Sequence, residues 1–169
     1  MDRQGWGNTN VWSGFNYIPI SEQLGNLYLG AWEFEGDEIV LIEELKKRKI
    51  GLVLGLGFEK HPLNKPECSS LGLNARVIAL DIEDYSDAAE KMRKYITAHL
   101  GSIHESLLAG ENVYVHCHAG ISRSPTFVMA YLMEYHSYTL NEAYDHLRKH
   151  RPGIYPNPGF HRLLQELAC

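Results

Sequence analysis

The stretch Val113-Tyr114-Val115-His116-Cys117-His118-Ala119-Gly120-Ile121-Ser122-Arg123-Ser124-Pro125 constrains the fold more than any other part of the chain. Asn112–His116 reads as an apolar strand. Ala119 and Gly120 mark a short loop, and a helix should start near Ser124-Pro125, with proline in its first turn. A strand that runs through a tight loop into a helix is the building unit of α/β folds. The loop of such a unit lies at the carboxyl end of its strand, where open α/β sheets bind ligands.

The flanking sequence repeats this alternation. Asn26–Leu29 reads as a short strand ending at Gly30, Leu52–Leu56 as a buried strand closed by Gly57, and Arg76–Leu80 as another. Asp37–Lys49 sets Ile39, Leu41, Ile42 and Leu45 beside a charged face, which predicts a helix. Met92, Tyr95, Ile96, His99, Leu100, Ile103 and Leu107 recur at three- and four-residue intervals and mark one face of a long helix closed by Gly110. Thr139 with Glu142 three residues on predicts a capped helix running to about His150. Gly159–Leu167 reads as the last helix, and residues 60–70, rich in Pro, Asn and Ser, as a loop. The expected fold is α/β, with a central, largely parallel sheet flanked by helices. Residues 21–169 are assigned to one domain. Residues 1–20, with Trp6, Trp12, Phe15 and Tyr17 but no periodicity, read as an aromatic-rich extension that packs onto the domain or contacts a second subunit.

Composition narrows the functional classes. Cys68, Cys117 and Cys169 are odd in number and widely spaced, with no C-x-x-C pair, which argues against a disulfide scaffold or a structural zinc site. The expected compartment is the reducing cytoplasm, with nuclear access open. A net charge of −5, from 16 basic and 21 acidic residues, disfavours nucleic acid as a partner. No apolar run is long enough to span a bilayer, and no secretory leader or lipidation signal is recognisable, so no membrane association is expected.

The chemistry concentrates in the central loop. Small residues let backbone N–H groups turn inward as an anion-binding nest, and the helix N-terminus adds further donors. Arg123 can grip two phosphoryl oxygens with its planar fork. The same positive surroundings favour thiolate over thiol at Cys117, and a thiolate is the competent nucleophile. Ser124 can hydrogen-bond that sulfur and ease its departure.

The segment HCHAGISRS (residues 116–124) resembles the signature of the protein tyrosine phosphatase superfamily, His-Cys, any five residues, then Arg. It is similar in particular to the small, atypical dual-specificity phosphatases. The resemblance extends upstream to Leu27-Tyr28-Leu29-Gly30 and Val53-Leu54. Downstream it takes in Ala130–Met133, Glu142-Ala143, Arg151-Pro152 and Pro156–Phe160. Two positions depart from the pattern: Gly55 stands where the family commonly has Asn, and Ala79 where it has Pro.

The resemblance implies a metal-independent hydrolase with no cofactor. Cys117 would be the nucleophile, and the phosphate would be held by His118, Ala119, Gly120, Ile121, Ser122 and Arg123. It also implies a general-acid aspartate some thirty residues before the cysteine. Asp81, Asp84 and Asp87 are the candidates. Asp84 fits best, because Asp81 sits at a strand end and Asp87 is placed to cap the long helix. His116 is expected to be structural, hydrogen-bonding around the loop and tuning the cysteine. His118 is expected to point outward, and Arg151 and Asn157 either line the rim or fix the fold beside it. Lys46-Lys47-Arg48-Lys49 reads as a solvated helix end, and Cys68 as a plain loop cysteine. The expected function is a phosphatase acting on phosphotyrosine and phosphoserine or phosphothreonine of a protein substrate. The alternatives are a non-protein phosphate (an RNA 5′ end, a phosphoinositide or a glucan) and a slow phospho-binding module.

Overall fold

The computed structural model describes residues 14–32 and 38–169. Its centre is a five-stranded sheet built from β1 (Asn16–Ile18), β2 (Leu27–Ala31), β3 (Ile50–Leu56), β4 (Arg76–Leu80) and β5 (Asn112–Cys117), in the order β1-β2-β5-β3-β4. β1 is antiparallel to β2, and every other pairing is parallel. This is the expected α/β arrangement, with β5 in the central position.

Helices cover both faces. α1 (Glu38–Lys47) and the short α2 (Pro66–Ser70) lie on one; α3 (Ala89–Leu108), α4 (Arg123–His136), α5 (Leu140–His150) and α6 (Pro158–Leu167) lie on the other. Strand alternation sorts the side chains between the two cores. On β5, Val113, Val115 and Cys117 face the α3–α6 layer, whereas Tyr114 joins Phe15, Leu41, Ile42 and Leu45 on the α1 side. The period of two therefore sends Cys117 towards the start of α4 and His116 to the opposite face.

Thr139 caps α5 as its sequence predicts: its hydroxyl accepts from the Glu142 N–H, and the Glu142 carboxylate accepts from the Thr139 N–H. Such caps contribute about 1 kcal/mol each. α3 ends ahead of Gly110 and α4 begins at Arg123, close to the expected positions.

Four local expectations change. Residues 14–20, assigned to the extension, supply edge strand β1 and the buried Phe15 and Ile18; residues 1–13 lie outside the described residues. The 60–70 loop contains a 3₁₀ turn (Pro62–Asn64) and α2, which turns Cys68 into the core. Proline starts both elements, so the composition that suggested a loop here supplies two helix N-termini. α1 stops at Lys47, and Lys49 adopts a left-handed backbone (φ 53°). Arg48 is not solvated: it pairs with Glu44 and lies 4.2 Å above the Phe15 ring, an arrangement that tethers β1 to α1.

Candidate active site

Cys117 ends β5 and is buried. Its Sγ accepts a hydrogen bond from the Gly120 N–H at 3.2 Å and lies 3.2 Å from the Ser124 hydroxyl. Both contacts suit a sulfur that carries negative charge.

The loop that follows is defined by its carbonyls. The Trp32 N–H donates to the carbonyls of Cys117 (2.9 Å) and His118 (3.0 Å). Arg151 donates from Nε to Gly120 O (2.8 Å) and from a terminal nitrogen to Ala119 O (3.2 Å). The Tyr155 N–H donates to Ile121 O (2.7 Å), and Ser122 O accepts from the Thr126 hydroxyl (2.7 Å) and amide (3.0 Å). Each carbonyl from Cys117 to Ser122 is thus held from outside the loop. Across a planar trans peptide the N–H points opposite to the C=O. The amides of His118, Ala119, Gly120, Ile121, Ser122 and Arg123 are therefore turned inward, and the Gly120 bond to Sγ shows that direction in one case. The result is a nest of donors at a helix N-terminus, suited to a multiply charged oxyanion.

Arg123 completes the nest. One terminal nitrogen donates to Ile82 O (3.0 Å), which anchors the fork. Its Nε is buried without a partner, the only side-chain N or O in that state among the described residues. A buried donor left unpaired costs about 1–3 kcal/mol, a penalty that an arriving anion would relieve. Gly57 gives the guanidinium room, because a Cβ there would stand 2.4 Å from an Arg123 nitrogen. Its backbone is left-handed (φ 104°), a conformation glycine adopts without strain.

Of the three aspartates, Asp84 is held from across the site: the Asn157 amide donates to its carboxylate at 2.8 Å. Asn157 also accepts from the Phe160 N–H as the cap of α6, and its own N–H donates to the Ser122 hydroxyl. One residue therefore ties the aspartate segment to the loop. Asp81 follows directly on β4, and its carbonyl accepts from the Tyr95 hydroxyl. Asp87 lies inside a 3₁₀ turn (Ser86–Ala88), and no side chain caps α3 there, so the capping role expected of Asp87 is not what the fold uses.

His118 is exposed, as expected, and stacks on Phe58 (centroids 4.6 Å apart), with Nε2 3.2 Å from Gly57 O. His116 is fully buried on the opposite side. Its Nε2 meets His61 Nε2 at 2.7 Å, and its Nδ1 lies 3.4 Å from Cys117 O. Burial first, and then the neighbouring His61, hold His116 well below the usual imidazole range; burial also brings His61 down to about 4. Both rings are therefore neutral at neutral pH.

Sequence reasoning placed Arg151 at the rim or in a fold-fixing role; it is fully buried behind the loop, and a third bond from it reaches the Asn16 side chain on β1. Trp32, Tyr155 and His61 were missed. The first two act through backbone N–H groups, which leave no side-chain signature. The contact of His61 depends on a chain reversal that no local pattern reports.

The family model described as "Dual specificity phosphatase, catalytic domain" matches residues 28–168. Dual specificity protein phosphatase 26 of Bos taurus is 36% identical over 142 residues, covering 83% of this chain and 63% of that protein. Phosphatidylglycerophosphate phosphatase PTPMT2 of Arabidopsis thaliana is 31% identical over 142 residues, covering 84% of this chain and 59% of the relative. This chain thus spans about three fifths of the length of these curated relatives. Among solved structures, DUSP15 superposes with a TM-score of 0.71 at 28% identity, over 92% of this chain and 87% of that one. The loop geometry and these matches together show that the chain belongs to the small, atypical dual-specificity phosphatases of the protein tyrosine phosphatase superfamily.

Proposed function

We propose that this chain hydrolyses phosphotyrosine and phosphoserine or phosphothreonine in protein substrates through a cysteinyl-phosphate. The observation that carries the reading is the pairing of Cys117 Sγ with an inward nest of amides closed by the unpartnered Arg123 Nε. The Cys117 thiolate attacks phosphorus in line. The loop amides and Arg123 take up the charge on the equatorial oxygens as the P–O bond to the leaving group breaks. Asp84 gives its proton to the departing oxygen. Water then attacks phosphorus, Asp84 takes its proton, and the S–P bonding pair returns to Cys117 with the Ser124 hydroxyl beside it. Inorganic phosphate leaves, and no step calls for a metal or an organic cofactor. The proposed compartment is the cytoplasm, where a thiol nucleophile stays reduced.

A second reading has one specific support, the 31% identity to a phosphatidylglycerophosphate phosphatase, and it places the same chemistry on a lipid phosphate. A single panel separates the two: phosphotyrosine, phosphothreonine and phosphoserine peptides, phosphatidylglycerophosphate, a phosphoinositide and 5′-triphosphorylated RNA. Each is assayed with wild type and Cys117→Ser, with and without EDTA. Turnover of the peptides that is insensitive to EDTA and lost in Cys117→Ser is expected. Turnover of the lipid alone or the RNA alone would overturn the protein-substrate reading.

A further inference from the structure

His61 and His116 form a buried imidazole pair on the sheet face opposite Cys117, and the hydrogen bonds around them determine where the protons sit. His61 Nδ1 accepts from the Leu63 backbone N–H (3.1 Å) as the cap of the 3₁₀ turn. That amide cannot give up its proton, so Nδ1 of a neutral His61 is bare and its proton is on Nε2. His61 Nε2–H then donates to His116 Nε2 at 2.7 Å, which leaves the His116 proton on Nδ1, facing Cys117 O. The proton order thus runs from Leu63 through both rings to the carbonyl that precedes the His118 amide.

The chain has made room for this pair. A Cβ at Gly55 would stand 2.6 Å from His61 Cδ2 and 2.9 Å from both ring nitrogens of the contact. Gly55 is also the position where the sequence departs from its family's usual Asn, and the two imidazoles occupy the space that a side chain would fill. Trp32 stacks on His116 (5.4 Å) and meets His61 edge-on (5.2 Å), while Tyr114 also stacks on His116 (5.0 Å). The rings are therefore fixed in orientation as well as in tautomer.

We propose that His61 is a positioning residue for the phosphatase reaction: it locks His116 as the Nδ1–H tautomer, and His116 together with the Trp32 N–H holds the Cys117 carbonyl outward, so that the His118 amide faces the phosphoryl group. Gly55 is its necessary companion. This inference rests on the functional reading above. At metal sites, where a second hydrogen bond likewise sets the tautomer of a ligating histidine, loss of that partner weakens function by about 10–100-fold, and a loss of the same order is expected here.

The test uses His61→Leu, which removes the donor, and His61→Gln, which keeps an N–H near the Nε2 position. Ring-nitrogen NMR of selectively labelled histidine reports the His116 tautomer, and steady-state kinetics on an aryl phosphate report kcat/KM. The expected result is a single Nδ1–H tautomer in wild type, its loss with at least about a tenfold fall in kcat/KM in His61→Leu, and recovery of both in His61→Gln. An Nε2–H tautomer in wild type overturns the proposal, and that spectrum decides the matter even if His61→Leu fails to fold. A variant in which only one of the two readouts changes overturns it as well. Because the tautomer is read without substrate, an inactive wild type would refute the phosphatase reading while leaving the pair judged on its own.

Discussion

Replacing Arg151 with Met should damage stability and phosphate binding together. The guanidinium is fully buried and donates to Gly120 O, Ala119 O and the Asn16 side chain. Hydrogen bonds from a charged group contribute about 1.5–3 kcal/mol each, and when the donor goes Gly120 O is left buried and the other two acceptors lose a partly buried bond. Against this, the variant no longer has to desolvate a cation, which returns several kcal/mol. The expected net loss is about 3–4 kcal/mol, a large part of the roughly 5–15 kcal/mol that holds a domain of this size together. In urea unfolding, with a slope near 2 kcal/mol/M, the midpoint should fall by about 2 M. Inorganic phosphate should also inhibit more weakly under folding conditions, because two loop carbonyls have lost their anchor. Leu147→Ala is the control: it creates a core cavity on α5, the helix that Arg151 follows, and costs about 2–5 kcal/mol without touching the loop. A midpoint shift below about 0.5 M, or inhibition by phosphate unchanged from wild type, would refute the reasoning.

Asn157→Ala removes the hold on Asp84 and a helix cap worth about 1 kcal/mol. Turnover should fall about tenfold or more for alkyl phosphates, whose leaving oxygen needs a proton, and much less for p-nitrophenyl phosphate; equal losses on both would contradict the assignment. Ser124→Ala should leave a rapid first burst of phenol and slow the steady state, seen in stopped-flow traces, since the hydroxyl beside Cys117 Sγ serves the second step; an unchanged steady state would count against that role. Stability should fall on acidification. Burial lowers His61 from 6.5 to about 4 and also holds His116 well below the usual imidazole range, so as pH falls below about 6.5 the unfolded chain binds protons that the folded one refuses. The His61 part alone amounts to about 3 kcal/mol, fully present above about pH 6.5 and lost progressively towards about pH 4. His99, His136 and Glu44 act in the same direction. Urea midpoints across that range should show a smaller slope in His61→Leu, and an equal slope would contradict the account.

The parts of this molecule that could be read from sequence are those encoded over short distances. Strand, loop and arginine fall in one contiguous run from Val113 to Pro125, so the nest could be inferred from residue types and spacing. The Thr139 box and the period of α3 are local in the same sense. What escaped depends on distant contacts or on backbone groups. Three residues of β1 are too few to show alternation, and they are recognisable as a strand only beside β2. Arg48 looked like one charge in a solvated run because its partner Phe15 lies far back in the chain. The burial of Arg151 is set by loop carbonyls around thirty residues away. Gly55 was visible as a departure from the family pattern, but its meaning required His61, brought back over it by the turn at Pro62.

The account stands most directly on the fate of the phosphoryl group. Asp84→Ala, incubated with an aryl phosphate and quenched in acid within the first turnover, can be digested and its peptides analysed by mass spectrometry. The prediction is one phosphoryl group on the peptide containing Cys117, absent when Cys117→Ser is added and chased away by time in the wild type. A phosphoryl group on any other residue, or full turnover by Cys117→Ser, would contradict it.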